Sequence, residues 1–166
     1  MNSTSPASAT NHLPFFVYGT LLPGQPNAHL WGSAVSHMHP ATLPNGRLFD
    51  MGSFPMLLMG NGRPVTGMLV EVIPEMYDPI IRSLDALEKY DPAQPQKSVY
   101  RRIPQPIQTA PKQQTVAWVY VGSEVYVAGK PEIPGGDWST YVASRLPDVQ
   151  NWWHGFTSLF PPSPTE

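Results

Sequence analysis

Leu13-Pro14-Phe15-Phe16-Val17-Tyr18-Gly19-Thr20 is an apolar run that stops at a glycine, and the organisation of the chain can be read outward from it. Residues 13–18 read as a first strand, buried on both faces. At Gly19 the backbone can turn tightly and come close to a ligand. The amides of Thr20, Leu21 and Leu22 can then point into a cavity as anion donors. The same residues also suit a packed β-turn that only reverses the chain.

Behind this stretch, Asn27–Trp31 reads as a short helical turn following Pro23-Gly24-Gln25-Pro26. Residues 34–43 and 47–51 read as extended pieces around the reversal signal Pro44-Asn45-Gly46. Two more strands, 55–59 and 65–73, flank Gly60-Asn61-Gly62. Pro74 stands where a helix can begin. Within 75–90, Met76, Ile80, Leu84 and Leu87 recur at three- and four-residue intervals and predict one apolar helical face. Residues 99–107 and 115–121 make a further strand pair, and Asp137 is a good N-cap for a short helix ending near Arg145. Runs of strands with one good helix and one short one indicate an α+β domain.

With 166 residues the chain is long enough for one domain, placed at 13–160 between a disordered lead, 1–12, and a flexible tail, 161–166. Its 21 prolines leave little room for long helices and favour short strands, turns and edge positions. A net charge of −2 with only 13% charged residues gives no basic stripe, so nucleic acid is not an expected partner. No apolar run reaches the length of a membrane span, and the first twelve residues lack the parts of a secretory signal, which makes the cytoplasm the default expectation. The absence of cysteine excludes disulfides, thiolate nucleophiles and cysteine-ligated metal.

Tyr18-Gly19-Thr20-Leu21, then Leu84-Asp85-Ala86-Leu87-Glu88, then Tyr100-Arg101-Arg102 form an ordered set, joined by Gly67-Met68-Leu69-Val70 and Gly136-Asp137-Trp138. From about Phe15 to Tyr141 this set resembles the gamma-glutamylcyclotransferase-like, or AIG2-like, family. The resemblance implies an α+β fold in the form of a small mixed-sheet β-barrel with flanking helices. It implies a lyase-type reaction on a small-molecule γ-glutamyl amide. In that reaction the α-amino group attacks its own γ-carbonyl, closes a five-membered ring and releases 5-oxoproline and an amine. Such a reaction needs no metal, cofactor or protein nucleophile.

By the same resemblance Glu88 is the proton shuttle, and the Tyr18, Gly19, Thr20 and Leu21 loop is the substrate cradle. Helix register sets Glu88 one turn after Leu84, beside an apolar face that would raise its pKa. The plain alternative is a solvated glutamate near a helix end. Tyr100 is either a donor to substrate or Glu88, or a core tyrosine with a satisfied hydroxyl. Asp85 is read as structural, a partner for Arg101 or Arg102, and Arg102 as one half of an ion pair. Two positions depart from the family pattern. Lys89 follows the glutamate where many relatives have glycine, and it is expected to point to solvent. Met68 stands where many relatives have an acidic residue.

His37 and His39 share one strand face at a spacing that can bind metal, but no third ligand is apparent, and ordinary histidines explain them better. Serine-hydrolase and nucleotide-hydrolase motifs do not occur. Two non-enzymatic readings stand beside the lyase. One is a silent family member that binds an amino-acid-like ligand or a protein partner. The other is an interaction module using Trp152-Trp153, although those residues also suit a staple of the C-terminal segment onto the core. Oligomeric state is not legible in the sequence.

Overall fold

A computed structural model of the chain describes residues 12–60 and 62–145. Of the disordered lead read over 1–12, residues 1–11 lie outside the described residues, as do Trp152-Trp153 and the 161–166 tail; His12 is described and stacks on Tyr77 at 4.4 Å. Seven strands form among the described residues: β1 Phe15–Val17, β2 Val35–Leu43, β3 Gly46–Asp50, β4 Pro55–Met59, β5 Val65–Val72, β6 Arg101–Ala110 and β7 Gln113–Val121. Five of them close a barrel in the order β1-β5-β2-β6-β7, and β3 and β4 make a separate two-stranded sheet. The barrel is mixed because β1 meets β5 antiparallel and β7 parallel, the latter pairing Phe15 with Trp118.

The α+β expectation holds, and so does the antiparallel β6–β7 pair. Pro44-Asn45-Gly46 reverses the chain but does not join a hairpin. β2 pairs with β5 and β6 in the barrel, whereas β3 turns away to pair with β4. Nor do β4 and β5 pair across Gly60-Asn61-Gly62. The Gly122 N–H reaches the Leu57 carbonyl at 2.8 Å, which ties β4 to the end of β7.

Proline placement explains one seam. The β6–β7 ladder runs without a break through Pro104 and Pro106, so those missing N–H groups are not needed on that side. On the other side of β6 the pairing with β2 shrinks to Thr42 with Gln108.

β1 is buried on both faces, as its composition requires. Phe15 and Val17 join the core under the main helix, while Phe16 and Tyr18 join the core shared with Leu43, Leu57 and Val119. Gly67 on β5 makes this packing possible. A Cβ there would sit 2.2 Å from the Val17 carbonyl and 2.8 Å from the Phe16 ring. Because backbone has to move, Gly67→Ala is expected to cost about 2–3 kcal/mol, read as a lower urea midpoint.

The main helix, α1, runs Tyr77–Leu87 behind a 3-10 turn at Pro74–Met76. It ends at Leu87, the last position of the apolar spacing and three residues short of Tyr90. Ile80 and Leu84 are buried as expected and Leu87 is half-buried, but Tyr77 takes the place of Met76, which is exposed. Two shorter helices follow, α2 at Glu124–Val127 and α3 at Trp138–Ser144. Asp137 caps α3 as expected, its carboxylate accepting the Thr140 N–H at 3.1 Å. Among the described residues no helix is long and apolar enough to cross a membrane.

Candidate active site

The chain leaves β1 through Tyr18, which is buried and donates its hydroxyl to the Tyr120 carbonyl at 2.5 Å. The next residues turn at once, because the Leu22 N–H closes onto the Gly19 carbonyl at 3.0 Å. One of the three amides expected to face a ligand is therefore spent inside the turn. For the Thr20 and Leu21 N–H groups no hydrogen-bond partner is found among the described residues. The Thr20 hydroxyl accepts from Asn27 Nδ2 at 2.9 Å, which leaves its own proton to give.

Gly19 is needed for a reason the sequence did not show. Its φ is not positive. Instead, a Cβ would lie 2.7 Å from Pro55 Cγ and 2.8 Å from Cδ, so only glycine lets the turn seat against the start of β4.

This turn forms one wall of a cavity of about 400 Å³. Tyr18 through Leu21 line it on one side, Glu88 and Lys89 from the end of α1 on another, and Tyr100 and Tyr120 close the back. Phe54, Pro55 and Asn27 complete the wall. Every residue expected to serve the site thus meets in one place. Tyr120, Asn27 and the Phe54-Pro55 pair were missed. Tyr120 sits in an alternating strand pattern that signals packing alone, and Phe54-Pro55 comes from a sheet whose pairing was not anticipated.

Glu88 is not a helical residue proper but the C-cap of α1, its N–H bonded to the Leu84 carbonyl at 2.9 Å. Burial pushes its carboxyl from 4.5 up to about 7. Burial also raises Tyr100 and Tyr120 above the ordinary phenol value; Glu88 adds to the shift of Tyr100, and the bond to Asp85 adds to that of Tyr120. Both stay protonated at neutral pH. Tyr100 gives its hydrogen to the Pro55 carbonyl at 3.2 Å rather than to Glu88.

Under Glu88 lies a rigid polar cluster. Asp85 takes two bonds from Arg102, Nε to Oδ1 at 2.9 Å and one Nη to Oδ2 at 3.2 Å. It takes a third from the Tyr120 hydroxyl at 2.6 Å. The guanidinium lies over Trp118 at 4.4 Å and over Tyr90 at 5.5 Å. The expectation of a structural Asp85 and an ion-paired Arg102 is met. Arg101 is exposed and takes no part.

The helix end explains the departure at Lys89. The Lys89 N–H bonds the Ala86 carbonyl at 3.2 Å and the Tyr90 N–H bonds the Asp85 carbonyl at 2.9 Å, a Schellman stop. Lys89 holds the left-handed position, φ 53°, where glycine carries no Cβ penalty. Its side chain is exposed, as expected, yet it also lines the cavity. Lys89→Gly is expected to stabilise the fold by about 1 kcal/mol, a rise in Tm of about 2–4 °C.

His37 and His39 lie on β2 across from Glu71, with His37 Nδ1 at 3.7 Å and His39 Nε2 at 4.0 Å from one carboxylate oxygen. All three side chains are exposed, and none of them lines the cavity. Met68 is half-buried against the core and does not line the cavity.

A family model, gamma-glutamyl cyclotransferase, AIG2-like, matches residues 15–140. Among curated proteins no sequence match was found. The solved structures it resembles include YkqA from Bacillus subtilis, with a TM-score of 0.60 at 19% identity over 82% of this chain. The match spans only 42% of YkqA, so that likeness concerns the fold of part of a longer protein. An AIG2-like protein from Mus musculus matches with a TM-score of 0.55 at 27% identity, over 75% of this chain and 88% of its own. The ytfP protein of Escherichia coli matches with a TM-score of 0.52 at 28% identity, over 76% and 96%.

Proposed function

We propose that this chain, which belongs to the gamma-glutamyl cyclotransferase, AIG2-like family, releases 5-oxoproline from a γ-glutamyl amide with Glu88 as general acid/base. The observation that carries this reading is a carboxyl raised to about 7 by burial, in the wall of the same cavity as the unpartnered Thr20 and Leu21 amides.

The reaction is an acyl transfer within one molecule. The substrate's ammonium must lose a proton, and a carboxyl raised to about 7 is a stronger base for it than an ordinary glutamate of about 4.3. The freed amine attacks the γ-carbonyl carbon, and that carbonyl's electron pair moves onto oxygen. Collapse of the tetrahedral intermediate breaks the bond to the leaving nitrogen, which takes up the proton that Glu88 returns. Amides aimed at the oxyanion, with the Thr20 hydroxyl as a further donor, favour this charge more than the neutral carbonyl. Folding the glutamyl chain so that nitrogen meets carbon supplies an effective molarity of the order of 10⁵–10⁸ M.

The test is release of 5-oxoproline from a panel of γ-glutamyl amides that differ in the amine. Release from at least one, with ring closure and free amine in equal amounts, supports the lyase. A folded protein that releases none from any amide would leave a ligand-binding member of the family as the reading.

A further inference from the structure

We propose that Lys89 is a specificity residue of this cavity and that the γ-glutamyl amide it selects carries an anionic group on its amine portion. The inference rests on the lyase reading of the site and adds the chemical class of the leaving group.

Burial orders the cavity from inside to outside. Tyr18, Tyr100 and Tyr120 are buried at its inner end, with the loop amides and Glu88 beside them, and this end has the parts that the glutamyl half needs. The exposed lining residues are Pro26, Ser53, Phe54 and Lys89, which form the rim. Atoms past the scissile bond must leave toward this rim. Among the described residues, Lys89 is the one charged side chain in the lining apart from Glu88.

Its charge is uncommitted. None of the ion pairs among the described residues includes Lys89. Asp85, in the last turn of α1, is held by Arg102 and Tyr120, and Asp91, two residues on, accepts the Ala93 N–H at 2.9 Å and makes no ion pair with Lys89. The backbone gives an independent reason to look for a role. A lysine at φ 53° is strained where glycine would not be; Lys112 at φ 64° shares that strain in the β6–β7 turn, but of the two only Lys89 combines it with a place in the cavity lining. A cation here attracts a carboxylate on the departing amine and repels a second ammonium.

Three amides of nearly equal size separate these cases: γ-glutamylglycine, γ-glutamylglycinamide and γ-glutamylethylenediamine, which are anionic, neutral and cationic past the amide. The expected order of kcat/KM is anionic, then neutral, then cationic. About three- to fivefold is expected between the first two, carried in KM, as for a rim ion pair. The gap should shrink at about 0.5 M salt. Lys89→Asn, which tolerates the left-handed backbone, should bring the three to near parity, and Lys89→Arg should keep the order.

Persistence of the order in Lys89→Asn overturns the proposal. So does an equal loss on all three amides, which would put Lys89 on the glutamyl half. If no amide yields 5-oxoproline, it is the lyase reading that fails. The same three compounds are then ranked by calorimetric titration of wild type and Lys89→Asn. A Lys89-dependent preference for the anion supports the selectivity, and equal or absent affinity overturns it.

Discussion

Glu88→Gln is expected to lower kcat for 5-oxoproline release by at least about 10²-fold while leaving the protein more stable at pH 8 than the wild type. Glutamine keeps the length of the side chain but cannot take or return the proton, so the loss should fall on kcat with little change in KM. The second half follows from the same burial. A carboxyl whose folded pKa is about 7, against 4.5 unfolded, binds more protons in the native state between those values. Stability therefore falls as pH rises through that window and levels off above about 7. The swing is of the order of 2–3 kcal/mol, and the glutamine variant should lack it. The wild-type rate should rise with pH on an apparent pKa near 7 in kcat/KM, because the free enzyme must hold the carboxylate. Urea midpoints at pH 5 and pH 8, set beside initial rates, give both readings from one pair of proteins. A variant that keeps its rate would move the base elsewhere. A variant with the wild-type pH slope in stability would show that Glu88 is not the buried titrating group.

The two outcomes are linked by chemistry that the sequence carried only in part. Leu84 and Glu88 stand one turn apart in any helix, which was enough to set the carboxyl beside apolar packing. That the helix stops at Leu87, so that Glu88 is a cap and Lys89 a left-handed residue, depends on the Schellman bonds from Lys89 and Tyr90. No glycine marks that stop, and Lys89 occupies the place where one would signal it. The five-stranded closure was equally hidden. Strand positions followed from alternation and proline spacing, but β1 reaches both β5 and β7, partners some fifty and a hundred residues away. The Pro44-Asn45-Gly46 turn suggested a local hairpin, and long-range pairing of β2 with β5 prevailed over it. Gly19 shows the limit in one residue. Its identity follows from the Pro55 ring packed against it, a contact across thirty-six positions that no local pattern announces.

Arg102→Met should cost about 3–5 kcal/mol of stability, the largest effect expected from any single change in the cluster beneath the site. Both partners are nearly buried, with side chains 12% exposed, so the Asp85 carboxylate cannot recover its bonds from water. Only the Tyr120 hydroxyl would remain to it. Burial alone works against the charged guanidinium, yet the bonds and charge of Asp85 more than offset it and raise the Arg102 pKa. The pair is thus mutually dependent, and removing one member strands the other. For a domain of this size the loss corresponds to roughly 6–20 °C in Tm. Arg102→Lys should fall between, since an ammonium keeps the charge but gives up the two-point contact with the carboxylate and the stacking on Trp118. Replacing both members, Asp85→Leu with Arg102→Met, should recover much of the stability, because no buried charge is left unpaired. It should not recover the rate. Asp85 lies in the last turn of α1, three residues before Glu88, and its bond to Tyr120 fixes that turn against the back wall of the cavity. A double variant that is stable but slow, with KM near the wild-type value, would identify the cluster as the part that holds Glu88 in position. A double variant with full activity would reduce the cluster to packing.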